Sequence, residues 1–219
     1  MTTETPIFSK RAQKLLTEKA FAQTDVRALI FQWKIEYNCG PQHFQTDKIL
    51  TLQYSNPVND DLTTVLLESV CKLSQGKMLQ FLFQLSFREV ENFLRDENHI
   101  PSFGAELETR GNEVFISVKN ALLAEILLTK MNELDFSFDL SSWKKLSLPM
   151  KNKLVMEVFS GLLTLFPKEK KLELILAEGD TVTVKKNDFP LELAVLETLL
   201  NRLAFEKETD SPLKVIGTL

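Results

Sequence analysis

The stretch at residues 172–184, LELILAEGDTVTV, is the part of the chain whose reading decides the fold. Leu172, Leu174 and Leu176 recur at every second position, Gly179 and Asp180 supply a tight turn, and Val182 and Val184 answer in the same period. Side chains of an extended strand alternate between two faces, so the pattern predicts an antiparallel hairpin with one face turned inward. The flanking segments keep a different period. Upstream, Pro149 stands at a first-turn position, and Leu154, Val155, Val158, Leu162, Leu165 and Phe166 follow at helical spacing until Pro167 ends them. Downstream, Asp188 and Pro190 lead into Leu193, Leu196, Leu199, Leu200 and Leu203. A β-hairpin between long helices makes this half of the chain α+β.

Between the hairpin's first helix and the middle of the chain, residues 113–118 read as a strand, 121–134 as a helix and 136–140 as another short strand. In the N-terminal half, Ser9 precedes an amphipathic helix over 10–20 built on Ala12, Leu15, Leu16 and Lys19. Leu29, Phe31, Trp33, Ile35 and Tyr37 then alternate with Gln32, Lys34 and Glu36, and Leu50, Leu52 and Tyr54 share a face over 48–54. Asn38, Gly40 and Pro41 between them predict a hairpin with a long loop. Asn59 or Asp60 caps the next helix, whose buried stripe is Leu62, Val65, Leu66, Val70 and Leu73 and whose end is Gly76. Residues 77–85 form a short apolar segment, and Ser86 with Glu89 makes the capping-box pattern that opens a helix over 87–96. Pro101, Ser102 and Gly104 cluster turn chemistry in one place, which divides the chain into domains at 1–104 and 105–219, both α+β.

Composition narrows the function classes. With 44% hydrophobic and 26% charged residues, the 219-residue chain buries a core of its own. Sixteen Phe against two Tyr and two Trp place most aromatic surface on a side chain without a polar handle, which favours interior packing over exposed stacking. A net charge of −4 lacks the electrostatic footprint of a nucleic-acid binder. The one dense basic run, Lys168, Lys170 and Lys171, carries Glu169 within it and reads as a solvated turn. No apolar run reaches the roughly 18 residues of a membrane span, and residues 1–10 have no leader-like apolar core, so the expectation is a cytoplasmic protein without membrane contact.

Catalytic chemistry is tested by subtraction. His43 and His99 are the only histidines, and no nucleophile motif accompanies any Ser or Cys. Seven glycines form no phosphate-cradling loop and no dinucleotide fingerprint. The expectation is therefore a non-enzymatic chain with no cofactor, although a site assembled from distant residues leaves an enzyme as a further alternative. A metal reading exists: Cys39 and His43 lie four residues apart, and Cys71 with His99 would complete a soft ligand set. Against it, Cys71 sits among the core-like Leu67, Val70 and Leu73 of a helix, where free Cys behaves as a small hydrophobe.

The segment at residues 66–103, LLESVCKLSQGKMLQFLFQLSFREVENFLRDENHIPSF, follows the order helix, Gly-Lys step, short apolar helix, capped helix. With FSKRAQKLL at 8–16 and the two following strands, it resembles the N-terminal domain of NifU, the IscU-type iron–sulfur scaffold, over roughly residues 8–103; Gly76 and Lys77 look like that family's Gly-Lys step. Those scaffolds hold a cluster with three cysteines and an Asp, because thiolate is the ligand a cluster requires. Here the corresponding loops read TDVRA and SNPVNDD and carry no Cys. The resemblance thus implies a degenerate scaffold that acts as an interaction or assembly module for a protein partner. Arg88, Glu91, Arg95, Asp96 and His99 are its candidate contacts, and a metal or iron–sulfur carrier using Cys39, His43 and Cys71 is the alternative.

Overall fold

A computed structural model describes residues 8–22, 32–36, 47–54, 60–96, 102–134, 143–166, 171–204 and 213–218. The chain is α+β and divides into two compact units, one of residues 1–38 and 45–119, the other of 39–44 and 120–219. The turn residues before Gly104 stand directly ahead of a long helix, α5 (Ala105–Glu133), and the division between the units falls within that helix.

The first unit contains α1 (Lys10–Glu18), the antiparallel pair β1 (Gln32–Glu36) and β2 (Lys48–Gln53), α2 (Asp61–Ser74), α3 (Leu79–Gln84), α4 (Phe87–Leu94) and the start of α5. Its helix boundaries follow local chemistry. Ser9 caps α1 through Ala12 N, Asp60 caps α2 through Thr63 N, and Ser86 and Glu89 close both halves of the capping box on α4. Lys119 of α5 donates to the carbonyls of Phe83 and Leu85, placing a cation at the end of α3. The interior is α2: from Thr64 to Cys71 every residue is buried, so the helix is enclosed on all sides instead of presenting one apolar stripe. Phenylalanines fill the adjoining space, with Phe87 stacked on Phe103 at 6.0 Å, Phe115 tilted against Phe87, and Phe8 edge-on to Phe103.

Two expectations for this unit are corrected. Residues 113–118 are not a strand but the middle of α5; the β-branched and aromatic run EVFISV is overridden by a helical stripe of Gly111, Phe115, Val118 and Leu122, all buried. Gly111 is the close-approach position on it, since a Cβ there would stand 3.0 Å from the Phe87 ring. In β2 the inward residues are Ile49, Leu52 and Tyr54, and Leu50 is exposed. The register explains this: Lys34 pairs Thr51 while Ile35 pairs Ile49, so Leu50 is a bulged extra residue that flips the parity of the strand.

The second unit holds the rest of α5, a 3₁₀ turn (Trp143–Lys145), α6 (Leu148–Thr164), β3 (Lys171–Glu178), β4 (Thr181–Asn187), α7 (Leu193–Ala204) and β5 (Lys214–Thr218). The hairpin β3–β4 forms as the sequence predicts. Gly179 takes a positive φ of 57° at the first central position of its two-residue turn, the II′ arrangement that suits hairpin twist. Its carbonyl is held from two sides, by Trp143 Nε1 at 3.0 Å and Lys151 Nζ at 2.9 Å, with the Lys151 ammonium also over the Trp143 ring. The sheet has a third strand that periodicity did not reveal: β5 runs parallel to β4, with α7 as the crossover, giving the order β3-β4-β5. The expected strand at 136–140 lies outside the described residues.

Candidate functional site

The residues singled out in the sequence are not brought into one site by the described part of the structure. Cys39, His43 and His99 lie outside the described residues. Cys71 is fully buried in α2, where burial and then the Glu68 carboxylate push its thiol up from the ordinary value, so the thiolate that a metal needs is disfavoured. Among the described residues no group of three His, Cys, Asp or Glu side chains could hold a metal ion.

The candidate partner contacts on α4 have internal work to do. The Asp96 carboxylate accepts from Lys10 N and Arg11 N at 2.5 and 2.9 Å, satisfying first-turn donors of α1 from across the unit. Arg95 grips Glu91 through two bonds, Nε to Oε1 and an η nitrogen to Oε2, at 3.0 and 2.6 Å. Ser9 Oγ donates to Leu94 O, Arg11 to Phe93 O, and Ser102 Oγ to Glu91 O. The end of α4 is thus a clasp on the start of α1. Arg88 alone of the described candidates is exposed without an assigned role in the clasp.

The same unit also holds a buried polar pair. Glu68 is fully buried on α2, and its Oε1 accepts from Phe21 N at 3.1 Å. Burial first, and then hydrogen bonding to the Glu68 carboxylate and its charge, hold the Tyr54 phenol far above its ordinary pKa. The contact lies at the edge of hydrogen-bond geometry, since Tyr54 Oη and Glu68 Oε2 fall outside strict limits.

The surface with an unusual chemical character lies on the β3-β4-β5 sheet. Its inner rows, Ala177–Val182–Val215 and Leu174–Val184–Gly217, face the core; Ala177, Val182, Val184 and Val215 are buried, and a Cβ on Gly217 would meet Leu193 of α7 at 2.8 Å. The expected inward residue Leu176 is turned outward. Leu174 pairs Val184 and Leu176 pairs Thr183, so Ile175 is bulged, the parity flips, and Ala177 takes the inward place. Ile175 and Leu176 thereby both reach the outer face, 54% and 36% exposed, and Ile216 joins them from β5 at 50%. Single exposed apolar residues are ordinary, but Leu176, Thr183 and Ile216 form one continuous cross-strand row. Charges rim it: Glu173 and Glu178 on β3, Lys185 on β4 and Lys214 on β5.

Each edge of this sheet carries side-chain caps. Ala177 N, which points away from β4 on the edge strand, donates to Asn152 Oδ1 of α6 at 2.7 Å. On the other edge Val215 N donates to Glu197 Oε2 at 2.9 Å and Leu213 N to Asn201 Oδ1 at 2.7 Å, both from α7. A partner strand would have to displace these bonds, whereas the outer face is open. Sequence reading missed this face because it depends on a bulge and on a five-residue parallel strand. The adjacent Ile175–Leu176 pair, which breaks strict alternation, was its one visible signal.

No known family model matches the chain, and no match is found among curated proteins or solved structures. The scaffold resemblance over residues 8–103 therefore rests on sequence pattern alone. Among the described residues no helix is long and apolar enough to cross a membrane.

Proposed function

We propose that this chain is a non-enzymatic interaction or assembly module that works through the outer face of its three-stranded sheet. The observation that carries the reading is the apolar strip of Ile175, Leu176 and Ile216 beside Thr183, surrounded by charged residues on an exposed sheet face. An apolar centre with a charged rim is the anatomy of a protein-binding surface, in which the centre supplies desolvation energy and the rim supplies register. Fully burying an aliphatic side chain contributes about 1.5–3 kcal/mol, and these three, already about half buried, have roughly half of that left to gain each, so they drive association only when a partner excludes water from all of them.

Site-specific photo-crosslinking tests this. A diazirine amino acid replacing Ile216 in the full chain, irradiated in lysate, is expected to give discrete protein adducts, whether with another protein or with a second copy. The same probe at exposed Asn92 of α4 serves as control. No adduct at 216, or the same adducts at both positions, overturns the reading.

A further inference from the structure

The arrangement of charge around the strip specifies its occupant. Three rows cross the outer face: Glu178–Thr181–Lys214, Leu176–Thr183–Ile216 and Glu173–Lys185–Thr218. Within these three rows acid lies on β3 and base on β4 and β5, while Lys171 of β3 lies beyond them opposite Asn187. We infer that this face docks against the same face of a second copy of the chain, about a two-fold axis running along β4 through Thr183. The inference rests on the reading of the face as an interaction surface.

A two-fold contact requires a patch that complements itself. Rotation about the β4 line exchanges β3 with β5 while keeping each row level, so Glu178 of each copy lies over Lys214 of the other, and Leu176 over Ile216. Lys185 falls near the axis beside its own copy, where the two Glu173 carboxylates offset the two ammonium groups. The perpendicular axis, across the strands, would instead set Glu178 over Glu173 and oppose like charges. Charge therefore selects one of the two face-to-face arrangements.

Area sets the strength. Three strands about 4.8 Å apart and five residues long present roughly 250 Å² of sheet plane, and even with side-chain relief this is below the roughly 800 Å² per partner of a standard stable interface. The dimer is accordingly reversible, forming with rising concentration instead of being obligate.

Sedimentation velocity of the purified full chain, from about 1 to about 300 µM, a range that spans weak association constants, provides the test. The wild-type chain is expected to pass from monomer to dimer. Glu178→Lys and Lys214→Glu each place like charges across the contact and are expected to need at least about tenfold higher concentration, where a factor of ten corresponds to about 1.4 kcal/mol. Mixed one to one they restore dimerisation, because the first variant presents Lys at both positions and the second Glu at both. Ile216→Ser gives a charge-independent loss, and circular dichroism confirms that each variant is folded. A wild-type chain that stays monomeric throughout, single variants that dimerise like wild type, or a mixture that stays monomeric overturns the inference. A monomeric wild type that still crosslinks through position 216 to a different protein would sink the dimer and leave the interaction module standing; absence of both would sink the two together.

Discussion

Glu68 shows how one residue sets the character of the first unit's interior. A fully buried carboxylate loses its hydration, and Phe21 N returns one hydrogen bond at 3.1 Å while the Tyr54 phenol supplies a weaker polar contact. Shortening the side chain strands the Phe21 donor and opens a cavity, so Glu68→Ala is expected to lower unfolding free energy by about 2–4 kcal/mol, the sum of an unsatisfied buried donor and a lost packed side chain. Glu68→Gln keeps the acceptor and removes the charge, and is expected to cost less than half as much. Urea unfolding of the three proteins measures this; equal losses for Ala and Gln would show that the charge, not the acceptor, is what the site requires. Nothing in the sequence announced this residue, since a Glu within a predicted amphipathic helix reads as solvent-facing until the enclosure of α2 is known.

At the scale of elements, the capping box on α4 makes a pH-dependent contribution. Backbone and side-chain hydrogen bonds from Ser86 lower the Glu89 pKa from its ordinary value, with the Lys119 charge adding to them and slight burial opposing. A carboxylate whose folded pKa is depressed contributes stability that is present above the unfolded pKa and is lost as pH falls through the folded one. Wild type should therefore lose more stability than Glu89→Gln as pH drops from neutral to below the ordinary carboxylate range of about 4.3. Thermal unfolding across that range measures it, and parallel curves for the two proteins would refute the assignment. This box was legible because Ser and Glu three apart state it locally, as were the β3–β4 hairpin and the stripes of α6 and α7. Local reading failed where the deciding partner is distant. Residues 113–118 look like a strand until Phe87 and Leu62 are placed against Gly111, and Leu50 and Ile175 look inward or outward only once a bulge has fixed the register. Strand β5 has five residues and gains its identity from pairing with β4 across a helix, which no window of sequence contains.

For the molecule as a whole, the two units differ in what they leave for a partner. In the first, Asp96 is engaged in holding the start of α1 and Arg95 in pairing with Glu91, so these charges of the segment that the sequence offered as a contact have partners within the unit. In the second, a bulge and a parallel strand turn three aliphatic side chains outward while α6 and α7 cap donors on both sheet edges. Such a division favours association through a face, which is limited in area and reversible, over strand addition, which grows without limit. Isoleucine methyl resonances followed through a concentration series test this most directly. The account predicts that Ile216 and Ile175 shift together in a saturable manner, while exposed Ile116 on α5 and buried Ile49 on β2 stay fixed; methyl signals of Ile216 and Ile175 that do not move, or that move no more than that of Ile116, would contradict it.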